Sequence, residues 1–296
     1  MNDREQALNL QSPIILIGTH RSGTSWLFNQ VFSQHPNLAG WNEPRYVWEW
    51  GNNYKPDDVL NAEDAKPQIV EHIRSRFAKF VQSEGKTRLF EKTPNNCLRL
   101  PFIHQVYPQA KIIHVVRDGR AVFSSSADML ENRFYRQDRL SDRLKEMIVE
   151  SPLWGIPAYI PTIVGTIVAK LSKKPLKYWG PKPQGWQNWV KNDSKNVILA
   201  KQWVETTEQA LTDSKLIPSE FYYRFRYEDL ITNPRETMAS ITDFLNLEQG
   251  EILVDYVAET VNTSRKDLWR DSIDRETLQE IEPYLKPTLE KLGYQW

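Results

Sequence analysis

Residues 13–26 read PIILIGTHRSGTSW: an apolar run, a turn bracketed by Gly18 and Gly23, and then residues able to open a helix. The frame Gly18-x4-Gly23-Thr24-Ser25 matches the phosphate-cradling loop G-x-x-x-x-G-K-[ST], except that Thr24 stands where that loop carries lysine. In triphosphate-using enzymes the lysine reaches the terminal phosphates. The cation available inside this loop is Arg21. The loop therefore reads as a phosphate cradle that is not built to split a triphosphate.

Outward from the loop, strand and helix patterns alternate as in an α/β protein. Residues 14–17 form a buried parallel strand, and 22–35 the following helix, ended by Pro36. Residues 37–56 read as a loop carrying Trp41, Trp48 and Trp50. Further helices are expected over 65–82, 98–106, 120–130, 197–214, 234–245 and 276–292. Short strands are expected over 89–91 and 221–225, and the clearest strand, continuous and β-branched, over 111–116. Residues 133–190 differ: a charge-dense start gives way to SPLWGIPAYIP and KKPLKYWGPKPQGW, which suits a cap over the core rather than another βα unit.

Composition narrows the classes. The 296 residues suffice for one large α/β domain, and 38 basic residues balance 38 acidic ones. Zero net charge argues against a general affinity for nucleic acid, so any anion site must be local. The single Cys97 excludes an internal disulfide and fits a reducing, cytoplasmic setting. The five histidines show no metal-ligand spacing, so no metal is expected. The opening MNDREQALNLQ is not a secretory signal. The longest apolar stretch, 156–171, is too short to span a bilayer and is broken by Pro157, Pro161 and Lys170.

A second stretch, VVRDGRAVFSSS over 115–126, repeats the logic of the first: strand, tight glycine turn, helix. Amides at such a helix start point at an anion, Arg117 can fork two donors onto a phosphate, and Ser125 lies two helical turns on. The same residues also read as a solvated surface turn with Arg117 and Asp118 paired. In a doubly wound sheet both loops emerge at one edge, which suits a ligand with two anionic ends.

The pair GTHRSGTSW and KIIHVVRDGRAVFSS resembles the sulfotransferase superfamily that uses 3′-phosphoadenosine 5′-phosphosulfate, in its arginine-loop branch of protein-tyrosine and bacterial sulfotransferases. The resemblance implies a P-loop-like three-layer α/β/α fold with a mostly parallel sheet. It covers 1–296 as a single domain, with 133–190 as a helical or irregular insertion over the acceptor. It implies that Arg21, Ser22, Gly23, Thr24 and Ser25 cradle the 5′ end of the donor, and that Arg117 and Ser125 hold the 3′-phosphate. Tyr227 in FRYEDL would lie near the adenine or, equally, pack behind the strand over 221–225. Arg265 or Lys266 in VNTSRKDLW would reach a phosphate.

Sulfuryl transfer needs a base for the acceptor hydroxyl and cations for the leaving phosphate. Glu43 in GWNEPR lies eight residues after His35, where the resembled branch has its glutamate. Trp41 and Trp48 are expected to desolvate it; the alternative is a loop carboxylate paired with Arg45. His20 and His35 are the fallback bases. Lys92 in EKTP resembles the family lysine at the bridging oxygen, with Arg21 sharing that charge, although a lone lysine at a strand end is often simply solvated. A P-loop kinase lacks its lysine here, and a non-catalytic nucleotide-binding protein would lack Glu43 and Lys92. The acceptor is left as a hydroxyl on a small molecule, glycan, lipid or peptide.

Overall fold

The computed structural model of the chain describes residues 10–133, 178–263 and 268–296. Most of the expected insertion, and both Arg265 and Lys266, lie outside the described residues. Five parallel strands form one sheet in the order β2-β3-β1-β4-β5, with β1 Ile14–Ile17, β2 Leu38–Asn42, β3 Arg88–Lys92, β4 Lys111–Val116 and β5 Tyr222–Arg226. The central β1 and β4 are the β-branched runs, as expected of strands covered on both faces. Every residue of β1 is fully buried.

Alternation along the strands sends their side chains into two cores. Ile15, Ile17, Leu89 and Ile112 pack with Ile73 and Phe77 of α3 (Pro67–Ser83) and Phe102 of α4 (Leu100–Val106). Ile14, Leu16, Phe90 and Val115 pack with Leu27, Val31, Met238 of α9 (Pro234–Phe244) and Leu253 of α10 (Glu251–Thr260). A third cluster joins α5 (Gly119–Asp128), α7 (Lys195–Asp213), α11 (Trp269–Ser272) and α12 (Arg275–Lys291). The result is a three-layer α/β/α fold.

The structure corrects several boundaries. The helix after the loop starts at Thr24 as α1 (Thr24–Trp26), because Arg21 (φ 67°) and Gly23 (φ 99°) are left-handed. It continues as a π turn, Leu27–Val31. The stretch expected to be a loop contains β2 and the short α2 (Arg45–Glu49). LAGWN has no β-branched residue to announce a strand, and it forms by pairing with β3 from Leu38↔Arg88 to Asn42↔Lys92. Arg99 (φ −149°) separates a 3-10 turn, Pro94–Leu98, from α4, so the helix expected from 98 starts later. Helix α10 was absent from the sequence reading.

Parallel strands present all their carboxyl ends at one edge. Along it the order is Glu43 after β2, Lys92 ending β3, the glycine loop after β1, Arg117 after β4, and Tyr227 after β5.

Candidate active site

The glycine loop is shaped from within. Ser22 directs both its amide (3.1 Å) and its hydroxyl (2.6 Å) to the Thr19 carbonyl, so its part is in holding the turn. Gly23 carries a φ that disfavours a side chain, and a Cβ there would lie 2.5 Å from the Tyr227 ring. Gly23→Ala is therefore expected to destabilise the fold by about 1–3 kcal/mol, read as a lowered Tm; an unchanged Tm would mean that the ring moves aside freely. Thr24 is buried, whereas Ser25 is exposed at the first helical turn, where amides lack partners within the helix.

Arg21 donates from Nε to Ser125 Oγ (2.9 Å), and Arg117 donates from Nη1 to the Arg21 carbonyl (2.9 Å). The two expected anion sites are thus directly joined. The Arg117 guanidinium lies 4.7 Å from the centre of the Tyr227 ring. The Tyr227 ring meets the loop and Arg117 and is at the same time part of the core around Phe225, as the packing alternative has it. Arg21, Gly23, Thr24, Ser25, Arg117, Ser125 and Tyr227 line one cleft of about 890 Å³.

The second turn departs from its expected form. The Asp118 side chain caps α5, accepting from Arg120 N (2.9 Å), and it is paired through both oxygens with the Arg120 guanidinium. Asp118 N itself donates to Glu228 (3.0 Å). The α5 start is occupied by the chain's own carboxylate, so at this turn the groups facing the cleft are the side chains of Arg117 and Ser125.

Lys92 and Glu43 meet. Lys92 Nζ lies 2.7 Å from Glu43 Oε1 and 3.3 Å from Ser25 Oγ, with its side chain 1 % exposed, while that of Glu43 is 35 % exposed. Glu43 is left-handed (φ 58°), and its amide donates to the Lys92 carbonyl (2.8 Å). The expected tryptophan shield is not what surrounds it. Trp41 packs on Phe77 and Phe80, and Trp48 on Phe77, Phe102 and Tyr107, because both belong to the core beneath. The group held against Glu43 is an ammonium instead.

Glu91, fully buried beside Lys92, accepts from the Thr93 hydroxyl and from Asn96 Nδ2 (2.9 Å); burial pushes its carboxyl up to about 7. These bonds fix the turn immediately after Lys92. Burial and the neighbouring Arg21 charge lower His20 to about 4. Ser126 gives its proton to the Val122 carbonyl (2.7 Å), so His20 Nε2 donates to Ser126 Oγ (3.1 Å). His35 donates from Nε2 to the Glu248 carbonyl (2.6 Å) and accepts at Nδ1 from Asn37 N (3.2 Å). Both ring nitrogens of His35 are thus engaged by backbone, which removes it as a fallback base. Sequence reasoning missed Asn196 and Thr277, which also line the cleft; no local motif announces them.

Glycine loop, parallel edge and shared cleft define an α/β protein of the P-loop-like class. A family model described as "Sulfotransferase family" matches residues 13–150. A Caenorhabditis briggsae protein named "Putative protein-tyrosine sulfotransferase" is 22 % identical over 97 % of this chain and 90 % of its own length. The Mycobacterium bovis "Omega-hydroxy-beta-dihydromenaquinone-9 sulfotransferase Stf3" is 28 % identical over 32 % of this chain and 26 % of its own. Among solved structures, the sulfotransferase domain from the curacin biosynthetic pathway superposes with a TM-score of 0.53 at 15 % identity, covering 97 % of this chain and 99 % of that one. These matches support sulfuryl transfer as the chain's activity, with the likeness to the sulfotransferase family carried by residues 13–150.

Proposed function

We propose that the chain moves the sulfuryl group of 3′-phosphoadenosine 5′-phosphosulfate to an acceptor hydroxyl by in-line displacement, with Glu43 as general base and adenosine 3′,5′-bisphosphate as product. The observation that carries this reading is Lys92, whose ammonium bridges Glu43 and Ser25 and so sets the carboxylate beside the glycine loop. When bound, the donor supplies the sulfuryl group and a phosphate leaving group. Gly23, Thr24 and Ser25 with Arg21 would hold its 5′ end, Arg117 and Ser125 its 3′-phosphate, and Tyr227 its base side. The cleft fits such a ligand: two guanidinium groups and hydroxyl donors line a volume within the usual range for small-molecule pockets.

Glu43 takes the proton of the acceptor hydroxyl, Lys92 orients that carboxylate, and Arg21 and Lys92 stand beside the developing phosphate charge. Arg265 and Lys266 are proposed as further phosphate contacts. Residues 1–296 are read as one domain, with 133–190 covering the acceptor. No helix among the described residues is long and apolar enough to cross a membrane. The relatives' names cover a protein tyrosine and a lipid hydroxyl, so both belong among the first acceptors to assay.

Thermal shift tests the donor. At a hundredfold excess over Kd a ligand adds about 2.7 kcal/mol, which raises the Tm by several degrees in a chain of this size. Adenosine 3′,5′-bisphosphate is expected to give that rise, and ATP with Mg²⁺ none. The reverse pattern would favour a kinase and overturn the reading.

A further inference from the structure

Behind Arg117 and Tyr227 lies a buried polar knot. At its centre is Glu228, 7 % exposed, in the first turn of α8 (Tyr227–Thr232). Its Oε1 accepts from Asp118 N (3.0 Å) and its Oε2 from the Tyr294 hydroxyl (2.7 Å). The three residues are 110 and 66 positions apart in sequence. The Arg226 guanidinium lies over the Tyr294 ring at 4.1 Å. Next to it, Arg120 is flanked by the rings of Trp269 (4.3 Å) and Trp296 (5.3 Å), and it donates to the Gln295 carbonyl (2.9 Å). Residues 294–296 are thereby fastened to the turn between β4 and α5.

We infer that the Tyr294–Glu228 hydrogen bond is a positioning device for recognition of the donor's 3′-phosphate, acting through Arg117; the inference rests on the donor reading above. The amide that Glu228 holds belongs to the peptide joining Arg117 to Asp118. Fixing that peptide plane fixes the backbone from which the Arg117 side chain departs. Glu228 also follows Tyr227 directly, so the same carboxylate anchors the ring on which the guanidinium rests. Tyr294 does not line the cleft, so it cannot act by touching the ligand. Without its hydroxyl, a buried carboxylate loses one of two donors and its grip on the Asp118 amide loosens. The effect should then fall chiefly on the arginine end of the cleft, since the glycine loop, which Arg117 meets at the Arg21 carbonyl, keeps its own Ser22–Thr19 bonds.

Tyr294→Phe removes the hydroxyl and keeps the ring under Arg226. Calorimetric titration should show adenosine 3′,5′-bisphosphate binding about tenfold more weakly, a change of ~1.4 kcal/mol, with adenosine 5′-monophosphate unchanged within about twofold. That ratio separates positioning from general loosening, which would weaken both ligands alike. Glu228→Gln, which keeps one acceptor oxygen for two donors, should reproduce the selective loss and serves if Tyr294→Phe folds poorly. Equal losses for both nucleotides, or no loss, overturn the inference. If the wild-type chain itself shows no preference for the bisphosphate, the donor reading falls instead and takes this inference with it.

Discussion

Glu43→Gln is expected to lower the rate of sulfuryl transfer by about 10²–10⁴-fold while leaving the affinity for adenosine 3′,5′-bisphosphate nearly intact. The amide matches the carboxylate in shape and still offers an oxygen to Lys92, so the loop beside it stays in place. What disappears is the capacity to take a proton from the acceptor hydroxyl. Because the carboxylate follows β2 and does not line the cleft, the substitution is expected to spare binding. Single-turnover transfer alongside bisphosphate titration checks this. A large loss of affinity would assign Glu43 a structural part; a rate within about threefold of wild type would end its candidacy as base.

Lys92→Met should reduce transfer by about 10²–10³-fold, the scale for removing one preorganised charge from a developing anion. The methionine fills the buried stem's volume, so packing around β3 is retained. Glu43 then loses the cation at 2.7 Å and Ser25 loses its tie to the strand. If the pair works as a unit, the double variant Glu43→Gln/Lys92→Met should be little slower than the worse single variant. Multiplying losses would mean that the two groups act independently.

The central strands and the glycine loop were legible because β-branched runs and a left-handed glycine leave local signatures. Lys111–Val116 appeared in the sequence as it stands in the structure. Edge strand β2 was not legible, since Leu38–Asn42 owes its conformation to pairing with β3 rather than to its own residue types. The site divides in the same way. Arg21, Arg117 and Ser125 could be read off strand–turn–helix patterns, and the structure gathers them at one cleft. The environment of Glu43 could not: tryptophans near in sequence point into the core, while Lys92, 49 positions away, supplies the neighbour that matters. The alternative of an Arg117–Asp118 pair gives way for a related reason. In RDGR it pairs with Arg120 as a helix cap, and only the folded turn reveals that its carboxylate takes the place of an external anion.

The order of groups along the sheet edge has an evolutionary corollary. The proposed base and cation stand at β2 and β3 at one end, whereas the groups proposed to face the nucleotide follow β1, β4 and β5. Drift in the segment proposed to cover the acceptor, 133–190, would re-tailor the choice of acceptor without disturbing the arginine–serine–tyrosine half. A lineage built this way could diversify its products while keeping one donor, because the two kinds of selection act on different parts of the chain.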